Sequence, residues 1–420
     1  MKVLVIGGGG REHAIIWKLS QSKHINKIYC CPGNAGIAEI AECIDLSPYD
    51  FSTLIDFVKY EWIDLTIIGS EKIFSKDIVN AFEREGCRIL GPGDTAAQAS
   101  SSRIFAKNLL QLHRIPTAGY KVFTSYLHAQ DYVRLKGAPM VIKADGRPGY
   151  KGAFVASTVE QALDIIKLIL KDRIFGDAGR QVIIEEHLKG KRLSYVAATD
   201  GEIILPLTTL CIYRNTVDAS TVSNTVSLGA YSPVPNMNKE LEAVIMEKIM
   251  KPVLKALNSE RSKYRGFISA DLIIDNGRVL LDELNCCFED LVAETILPRL
   301  RNDLTDFIVA MLGQRLSDVQ VEWKHEASVC IALHSTVSSG INRKGVILNG
   351  LERIKPVQDV IIFHENTSFN NNDIITSGGR AISITATGAD IKEAQSKAYS
   401  VLETIHFNGM NYMTDIGTMD

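Results

Sequence analysis

The stretch from Ala270 to Asn285 constrains the fold of this chain more than any other part of the sequence. Two apolar runs flank Asn276-Gly277, the dipeptide that most strongly predicts a two-residue β-hairpin turn. The second run ends in Glu283 and Asn285, and side chains two residues apart on a strand share a face. A carboxylate and an amide oxygen on one face suit a Mg²⁺ ion that also holds phosphates. The alternative is a strand end that enters solvent.

Asp271 is a candidate third metal ligand, and the geometry of the hairpin decides where it lies. A strict two-residue turn at Asn276-Gly277 places Asp271 opposite Asp282, on the face away from Glu283. A three-residue loop with a bulge shifts the register by one residue and places Asp271 opposite Glu283. The sequence does not choose between the two registers. Glu283 and Asn285 are therefore the first candidates for metal ligands, and Asp271 is the second.

Composition limits the class of protein. The 420 residues are enough for about three domains, and 46% hydrophobic with 23% charged residues is ordinary for a soluble globular protein. A net charge of −3 argues against a general nucleic-acid-binding protein. The eight cysteines show no CxxC spacing, so they predict neither a disulfide framework nor a zinc site, and free thiols suit a reducing cytoplasm. The first apolar run is too short for a signal peptide or a membrane span.

The first hundred residues predict a doubly wound α/β domain with its ligand loops at the carboxyl ends of the strands. Lys2–Ile6 has the continuous apolar character of a buried strand, and Gly7–Gly10 and a helix follow. Free backbone N–H groups beside a helix N-terminus can hold a phosphate, and a dinucleotide-binding enzyme has the same order of elements. The next predicted strand, Lys27–Cys31, does not end in an acidic residue, which argues against NAD. A further unit ends in Gly69-Ser70-Glu71.

A glycine-rich hairpin between residues 138 and 156 predicts a flap that closes over a nucleotide. Its first strand ends in Lys143, and the loop that follows contains Lys151. The alternative is a surface hairpin with solvated lysines. Lys143 continues an apolar run, so it should be partly buried and should need an anionic partner. The next strand ends in Glu185-Glu186, where the backbone can meet the edge of a base, and a solvated acidic pair is the alternative.

The rest of the sequence predicts a central core and a β-rich C-terminal part. The stretch from Tyr213 to Ser232 lacks periodicity, and an irregular segment of that length in a compact chain is usually functional. A helix over Asn238–Leu257 precedes the hairpin, and a helix over Asp303–Leu312 follows it. Short strands dominate from Ala327 onwards. We therefore expect residues 335–420 to form mostly a third, β-rich domain packed against the core.

The chain resembles, from end to end, the phosphoribosylamine–glycine ligases, a family of ATP-grasp enzymes of purine synthesis. The resemblance rests on motifs distributed along the whole chain, and together they are highly specific. These motifs are Gly9–Ala14, Pro32–Gly36, Val141–Gly146, Phe175–Gly179, Gly229–Pro233, Glu283–Cys286 and Asp415–Gly417.

The resemblance implies an α/β fold, α+β in its core, with four parts. They are a pre-ATP-grasp domain at residues 1–102, an ATP-grasp core at 103–119 and 187–326, a lid at 120–186, and a C-terminal domain at 327–420. It also implies ATP-dependent joining of glycine to phosphoribosylamine through an acyl phosphate, with ATP between lid and core and with Mg²⁺ (or Mn²⁺) on Glu283 and Asn285. We therefore expect a cytoplasmic enzyme that acts on small molecules, is a monomer or homodimer, and has no nucleic-acid or membrane partner.

The resemblance further assigns roles to single residues. Phosphoribosylamine is expected at the loops of the first domain, on Gly9, Gly10, Asn34 and Glu71. The nucleotide is expected on residues of the lid and the hinge, namely Lys107, Lys143, Lys151, Glu185, Glu186 and Leu188. The residues expected to act on the acyl substrate are Lys143, Asn224 and Gly229. His13 is as consistent with packing at a helix start as with a ligand role.

The chain departs from the family pattern at positions that cluster in the predicted site. Arg192 replaces a glutamate expected to hold the ribose, and Cys287 replaces an arginine. Asp271 and Glu289 replace glycines, and Arg214 replaces a lysine. Three hypotheses therefore stay open from the sequence: the glycine ligase itself, a related ligase that joins a different amino acid or amine, and a non-catalytic binding protein with the same fold.

Overall fold

The computed structural model describes residues 1–69, 73, 77–146, 152–214, 227–258, 263–335, 343–354 and 357–418. Across these residues the strands form a five-stranded sheet, a four-stranded sheet, a nine-stranded sheet and a two-stranded ribbon. In the same part of the chain, no helix combines the length and the apolar character needed to cross a lipid bilayer.

The five-stranded sheet belongs to the first hundred residues, and every neighbouring pair in it is parallel. Its strands, in the spatial order β3-β2-β1-β4-β5, are β1 Lys2–Gly7, β2 Lys27–Pro32, β3 Glu42–Cys43, β4 Leu65–Ile68 and β5 Ile89–Leu90. The helices are α1 Gly10–Leu19, α2 Phe51–Tyr60, α3 Ile78–Arg84 and α4 Asp94–Ser101. The apolar run of β1 is fully buried because helices cover both faces of a parallel sheet. The predicted doubly wound α/β domain is confirmed.

The four-stranded sheet has a small apolar core of its own. After helix α5, Arg103–Leu112, its strands follow as β6 Tyr120–Phe123, β7 Met140–Ala144, β8 Ala153–Ala156 and β9 Val182–Glu186, in the antiparallel order β6-β9-β7-β8. Helices α6 Tyr126–Lys136 and α7 Val159–Ile166 pack against it, and a π-helical turn over Lys167–Lys171 continues α7. This sheet lies within the residues expected to form a lid, whose boundaries stay a prediction.

The nine-stranded antiparallel sheet joins the centre of the chain to its C-terminal part. Its strands are β10 Lys191–Thr199, β11 Ile204–Arg214, β12 Ser227–Ser232, β13 Gly266–Asp275, β14 Arg278–Asn285, β15 Ala327–Ser335, β16 Val360–His364, β19 Arg380–Gly388 and β20 Met410–Asn411. The spatial order is β14-β13-β10-β11-β12-β15-β19-β16, with β20 also on β15. The ribbon consists of β17 Thr367–Asn370 and β18 Asp373–Thr376.

Two features of this sheet differ from the sequence-based expectation. The stretch expected to be irregular up to Ser232 supplies strand β12, which escapes detection because it is buried on both faces and shows no alternation. Strand β12 then pairs with β15, so the C-terminal strands extend the central sheet. The C-terminal part is β-rich as expected, but it continues the core sheet and does not form a separate layer against it.

The remaining helices cover the large sheet. They are α8 Lys239–Ile245, α9 Lys251–Leu257, α10 Val292–Ile296, α11 Leu304–Leu312 and α12 Ile391–Leu402. A π-helical turn over Met246–Met250 joins α8 to α9, so the predicted helix over Asn238–Leu257 is continuous but irregular at its centre. Short 3₁₀ segments lie at Ile37–Glu39, Gly176–Arg180, Leu297–Arg299, Leu316–Asp318 and Leu351–Arg353.

Candidate active site

The hairpin of β13 and β14 contains both features that the sequence had presented as alternatives. Asn276-Gly277 forms the two-residue turn, with positive φ at both residues (49° and 77°), as the favoured hairpin turn requires. The register then shifts further along the hairpin, where Asp282 is the extra residue of a β-bulge. Asp271 consequently lies opposite Glu283. The bulge, and not a longer turn, produces the register that groups these carboxylates.

The hairpin therefore has one polar face and one apolar face. On the polar face, Ser269 lies opposite Asn285, two residues along each strand from the pair of Asp271 and Glu283. Asn285 is fully buried, whereas 19% of the Glu283 side chain is exposed. The apolar face packs into the cluster beneath the sheet through Ala270, Leu272, Leu281 and Leu284. Packing of that face fixes the direction in which the polar side chains point.

Lys143, at the end of lid strand β7, lies against the hairpin. Its Nζ is 2.9 Å from Asp282, 3.2 Å from Glu185 and 3.6 Å from Glu283. Burial alone would lower the pKa of Lys143, but the three carboxylates outweigh it and raise that pKa above its usual value. Lys143 is therefore a buried, permanently charged ammonium between the small sheet and the hairpin.

Helix α5 directs two further cations into the same place. Ser102 caps this helix, since its Oγ accepts a hydrogen bond from the Phe105 N–H (3.0 Å). Arg103 and Lys107 are four residues apart and so lie on one face of the helix. Lys107 Nζ is 3.4 Å from Glu185 and donates to Thr117 Oγ1 (2.7 Å), and burial lowers its pKa although Glu185 acts in the opposite direction.

Arginines connect the lid, the hairpin and the large sheet. Arg103 donates to Glu283 (3.3 Å) and to the carbonyl of Gly146 (2.6 Å), which links the start of the lid loop to the hairpin. Arg192 Nη1 lies 2.7 Å from Asp282, and half of its side chain is exposed. Arg192 therefore lies at the rim of the site, paired with a carboxylate. Arg214 contacts Asp271 at 2.8 Å.

The two glutamates at the end of β9 have different surroundings. Glu185 is buried between the two lysines, whereas Glu186 points to the opposite face of the strand, is exposed, and accepts a hydrogen bond from the Gly119 N–H (2.9 Å). Leu188 is half-buried in the loop that follows. Only Glu185 of these three joins the charge network, while the others lie along the connection between lid and core.

The predicted residues of the first domain lie in a different polar cluster, at the junction with the C-terminal strands. The Gly9 N–H donates to Glu12 (2.6 Å), and a side chain at Gly10 would collide with the buried Glu294 carboxyl group. The Asn34 amide donates to the carbonyls of Gly8 (3.0 Å) and His364 (2.8 Å). Asn34 thus connects the two first-domain loops to strand β16.

The same junction contains a buried arginine and several acidic groups. Arg380 forms ion pairs with Asp290 and Glu365. Burial, opposed only in part by Arg380, raises the pKa of Glu294 to about 8 and that of Glu365 to about 7. His13 accepts a hydrogen bond from the His364 N–H (2.8 Å), and burial with the nearby His364 lowers its pKa to about 3. His13 is a neutral packing residue of this junction.

The structure thus groups some of the predicted residues and separates others. Lys107, Lys143, Glu185 and Glu283 form one network, and Asp271 and Asn285 lie on the same hairpin face. Gly229 lies in β12, where a side chain would collide with Ile416, so this glycine has a packing role. The predicted residues Glu71, Lys151 and Asn224, and residues 147–150 of the glycine-rich loop, lie outside the described residues.

Sequence reasoning missed three groups of this network. Asp282 points to the wrong face under strict alternation, and only the bulge brings it to Lys143 and Arg192. In the sequence, Arg103 looks like an ordinary helix residue. Its four-residue spacing from Lys107 does place the two cations on the same face of a helix, and this signal could have identified it. The ion pair between Arg214 and Glu289 joins positions 75 residues apart, and the only available sign was that both differ from the family pattern.

The four-stranded sheet of the lid faces a hairpin that carries carboxylate and amide groups, and buried lysines lie between the two. This arrangement defines an ATP-grasp protein. Domain profiles agree with this class over nearly the whole chain: the phosphoribosylglycinamide synthetase N domain matches residues 1–99, the ATP-grasp (A) domain 101–293 and the C domain 328–419. The chain therefore belongs to the phosphoribosylglycinamide synthetase family.

Individual relatives and solved structures are similar over the full length. The chain is 40% identical over 416 residues to the phosphoribosylamine–glycine ligase of Caldanaerobacter subterraneus subsp. tengcongensis, and the match covers 99% of each chain. It is 38% identical over 424 residues to the phosphoribosylamine–glycine ligase of Escherichia coli, and that match covers 99% of this chain and 98% of the relative. The crystal structure of phosphoribosylamine–glycine ligase from Thermotoga maritima superposes with a TM-score of 0.81 at 25% identity (99% and 100%). The biotin carboxylase domain of Hydrogenobacter thermophilus 2-oxoglutarate carboxylase shares the fold, with a TM-score of 0.75 at 14% identity (99% and 92%).

Proposed function

We propose that this chain is an ATP-dependent carbon–nitrogen ligase that joins glycine to phosphoribosylamine. Full-length similarity to phosphoribosylamine–glycine ligases supports the reaction. The structural observation that carries the proposal is the contact of Lys143 with Glu185, Asp282 and Glu283 between lid and hairpin. A buried cation beside hard oxygen donors is the arrangement that binding of a metal–nucleotide complex requires.

The chemistry of the hairpin fits Mg²⁺. Glu283 supplies a carboxylate and Asn285 an amide oxygen from the same face, and both are hard donors. Asp271 fits less well, because one of its oxygens accepts from Ser194 and the other lies 2.8 Å from the Arg214 guanidinium, which repels a second cation. We therefore propose Glu283 and Asn285 as the principal ligands, with Asp271 second. A metal ion bound there would neutralise the negative charge of the phosphates.

The cations of the lid and helix α5 account for binding of the nucleotide phosphates. Lys143 keeps its charge at neutral pH because three carboxylates surround it. Lys107 lies beside Lys143 on the same acidic partner, Glu185, and Lys151 is proposed to add a further charge from the lid loop. We propose that the main chain from Glu185 to Leu188 meets the adenine, since this segment connects lid and core.

The remaining roles concern the two substrates. We propose that the amine substrate lies at the first-domain loops, where the N-terminus of α1 at Gly10 offers backbone N–H groups to a phosphate. Asn34 supports these loops by its bonds to Gly8 and His364, and Glu71 completes the set. For the acyl substrate we propose Asn224 together with the main chain at Gly229. Lid closure excludes water, which would hydrolyse an activated carboxyl group.

We also propose a cytoplasmic location, which the eight free cysteines support. For assembly we propose a monomer or homodimer, which light scattering of the purified chain distinguishes.

The direct test in cells uses a bacterial strain that requires purine because its phosphoribosylamine–glycine ligase gene is deleted. Expression of this chain is expected to restore growth without purine, whereas Lys143→Met is expected not to. Absence of growth with the unmodified chain, at a confirmed level of folded protein, would contradict the proposed reaction. An amino-acid panel supplied to the purified protein then shows whether a different acid is activated.

A further inference from the structure

A guanidinium lies between two buried carboxylates on the polar face of the large sheet. Nη2 of Arg214 is 2.8 Å from Asp271 Oδ2 and 2.7 Å from Glu289 Oε1. Each of these carboxylates is only 5% exposed. Burial acts to lower the pKa of Arg214, but Asp271 and Glu289 outweigh it and raise that pKa above its usual value. One nitrogen atom of a permanently charged group therefore joins two acidic side chains from separate segments of the chain.

The guanidinium lies beside the ligands proposed for Mg²⁺. Ser194, Asp271 and Glu283 form one row across the neighbouring strands β10, β13 and β14. Arg214 contacts Asp271, the middle member of this row, and Glu283 is close enough to contribute to the raised pKa of Arg214. Asp271, Glu283 and Glu289 therefore place three carboxylates around one fixed cation.

Without the guanidinium, these carboxylates have the chemistry of a divalent-cation site. Asp271 and Glu289 each place an oxygen against the same nitrogen atom, so an ion at that position meets two hard, negatively charged ligands. Oxygen ligands of Mg²⁺ lie at about 2.1 Å, so each side chain would move inward by less than about 1 Å. Glu283, opposite Asp271, offers a third carboxylate. A quarter of the Arg214 side chain is exposed, so this position borders solvent.

We propose that the Arg214 guanidinium takes the place of a second divalent cation, so that the polar face binds one metal ion, on Glu283 and Asn285, and not two. This inference rests on the proposed function, because it concerns the metal–nucleotide site of that reaction. Sites that transfer phosphoryl groups often use two metal ions, roughly 3.5–4 Å apart, to neutralise charge. A guanidinium is always charged, so Arg214 neutralises Asp271 and Glu289 whatever the concentration of free Mg²⁺.

The test counts the Mn²⁺ ions bound to the full-length protein, by equilibrium dialysis in the presence of a non-hydrolysable ATP analogue. Arg214→Met removes the guanidinium but keeps an aliphatic chain, and Arg214→Lys keeps a positive charge. The double variant Arg214→Met with Asp271→Asn removes the cation and one of its two carboxylates. Arg278→Met is the matched control, because it removes an exposed arginine beside the turn of the same hairpin. The thermal midpoint of each protein is measured with and without Mn²⁺, in the absence of nucleotide.

We expect one bound Mn²⁺ per chain in the unmodified protein, in Arg214→Lys and in Arg278→Met. Arg214→Met should bind a second ion, and the double variant should lose that ion again. Removal of the guanidinium leaves two buried carboxylates without a cation, so Arg214→Met should have a lower thermal midpoint in metal-free buffer. Mn²⁺ should raise the midpoint of Arg214→Met by at least about 3 °C more than it raises that of the unmodified protein.

Four results would overturn the inference. Two Mn²⁺ ions on the unmodified protein would mean that the guanidinium replaces no metal ion. A single ion on folded Arg214→Met, or a second ion that persists in the double variant, would mean that Asp271 and Glu289 do not form the latent site. If Arg214→Met is unfolded in metal-free buffer, failure of Mn²⁺ to restore its folding rejects the inference. These outcomes reject the inference alone, whereas an unmodified protein that binds no Mn²⁺ with the analogue contradicts the proposed function as well.

Discussion

The cleft between lid and hairpin and the junction around Arg380 are both built from buried charges, but they differ in how far those charges are satisfied. In the cleft, Lys143 is shared among three carboxylates at 2.9 to 3.6 Å, and part of Glu283 remains exposed. At the junction, Arg380 is 7% exposed and pairs closely with Asp290 and Glu365.

This difference separates charges that a ligand can recruit from charges that hold the parts of the chain together. Partners in the cleft can exchange, because Lys143 is shared among three carboxylates and one of them, Glu283, is partly exposed. Partners at the junction cannot exchange without exposing an uncompensated buried charge, which is strongly destabilising. Substitutions in the two regions should therefore affect different measurements: catalysis in the cleft, and stability at the junction.

The largest effect is expected at the junction. Arg380→Met leaves Asp290 buried without its cation, which should lower the free energy of unfolding by about 3–5 kcal/mol. Denaturant titration measures this loss, and Arg353→Met, at an exposed arginine, is the matched control. An equal stability of both variants would mean that the junction charges do not hold the parts together.

The next effect is expected in the cleft. Lys143→Met should cost about 2–5 kcal/mol of transition-state stabilisation, the range for losing a charged contact to a ligand, and so reduce kcat/KM by roughly 30-fold to several thousandfold. Lys263→Met, at an exposed lysine, controls for loss of charge. Activity within a factor of three of the unmodified enzyme would show that Lys143 does not contact the nucleotide.

Glu294 should make the stability of the junction depend on pH. Its pKa is raised to about 8 in the folded chain, above the value of an unfolded glutamate, so the folded state keeps a proton that the unfolded state releases. Stability is therefore lost as pH rises from about 4.5 to about 8, by an amount on the order of 3 kcal/mol.

The variant Glu294→Gln cannot ionise and should not show this loss. Urea titrations at pH 5 and pH 8 are expected to give the unmodified chain a larger decline in unfolding free energy than the variant. Parallel declines in the two proteins would show that Glu294 ionises in the folded chain as it does in the unfolded one.

The smallest of these effects concerns the metal. Glu283→Gln replaces a carboxylate of the proposed site with a neutral amide, so the Mg²⁺ concentration for half-maximal activity should rise at least about tenfold, the effect of losing even an outer-shell partner. Glu202→Gln, at an exposed glutamate, is the control. An unchanged Mg²⁺ dependence would place the metal elsewhere.

The sequence predicts the junction and the cleft to different extents. Glycine loops, buried strands and the Asn276-Gly277 turn have local signals, so the first domain, the lid strands and the hairpin follow from pattern alone. Lys143 was also predictable as a buried cation, because it ends an apolar run. These features depend on neighbours in the chain.

The remaining features depend on distant contacts. The bulge at Asp282 has no local signal, since its register is fixed by packing of the apolar hairpin face. Strand β12 is buried on both faces and shows no alternation of apolar and polar residues. The sequence therefore does not predict that β12 joins the core strands to the C-terminal strands in one sheet. The partners of Arg192 and Arg214 are known only once the sheet brings their strands together. Replacements that look unfavourable one at a time form ion pairs in the folded chain.

The central claim is that the cleft between lid and hairpin catalyses ATP-dependent joining of glycine to phosphoribosylamine. The most direct measurement is ADP release by the purified chain with Mg²⁺ and ATP, with both substrates present and with each omitted in turn. We predict ADP release that requires glycine and phosphoribosylamine together, in a one-to-one ratio with the amide product, and that falls at least about 30-fold in Lys143→Met. ADP release that is absent with both substrates, or that is unchanged in Lys143→Met, would contradict the account.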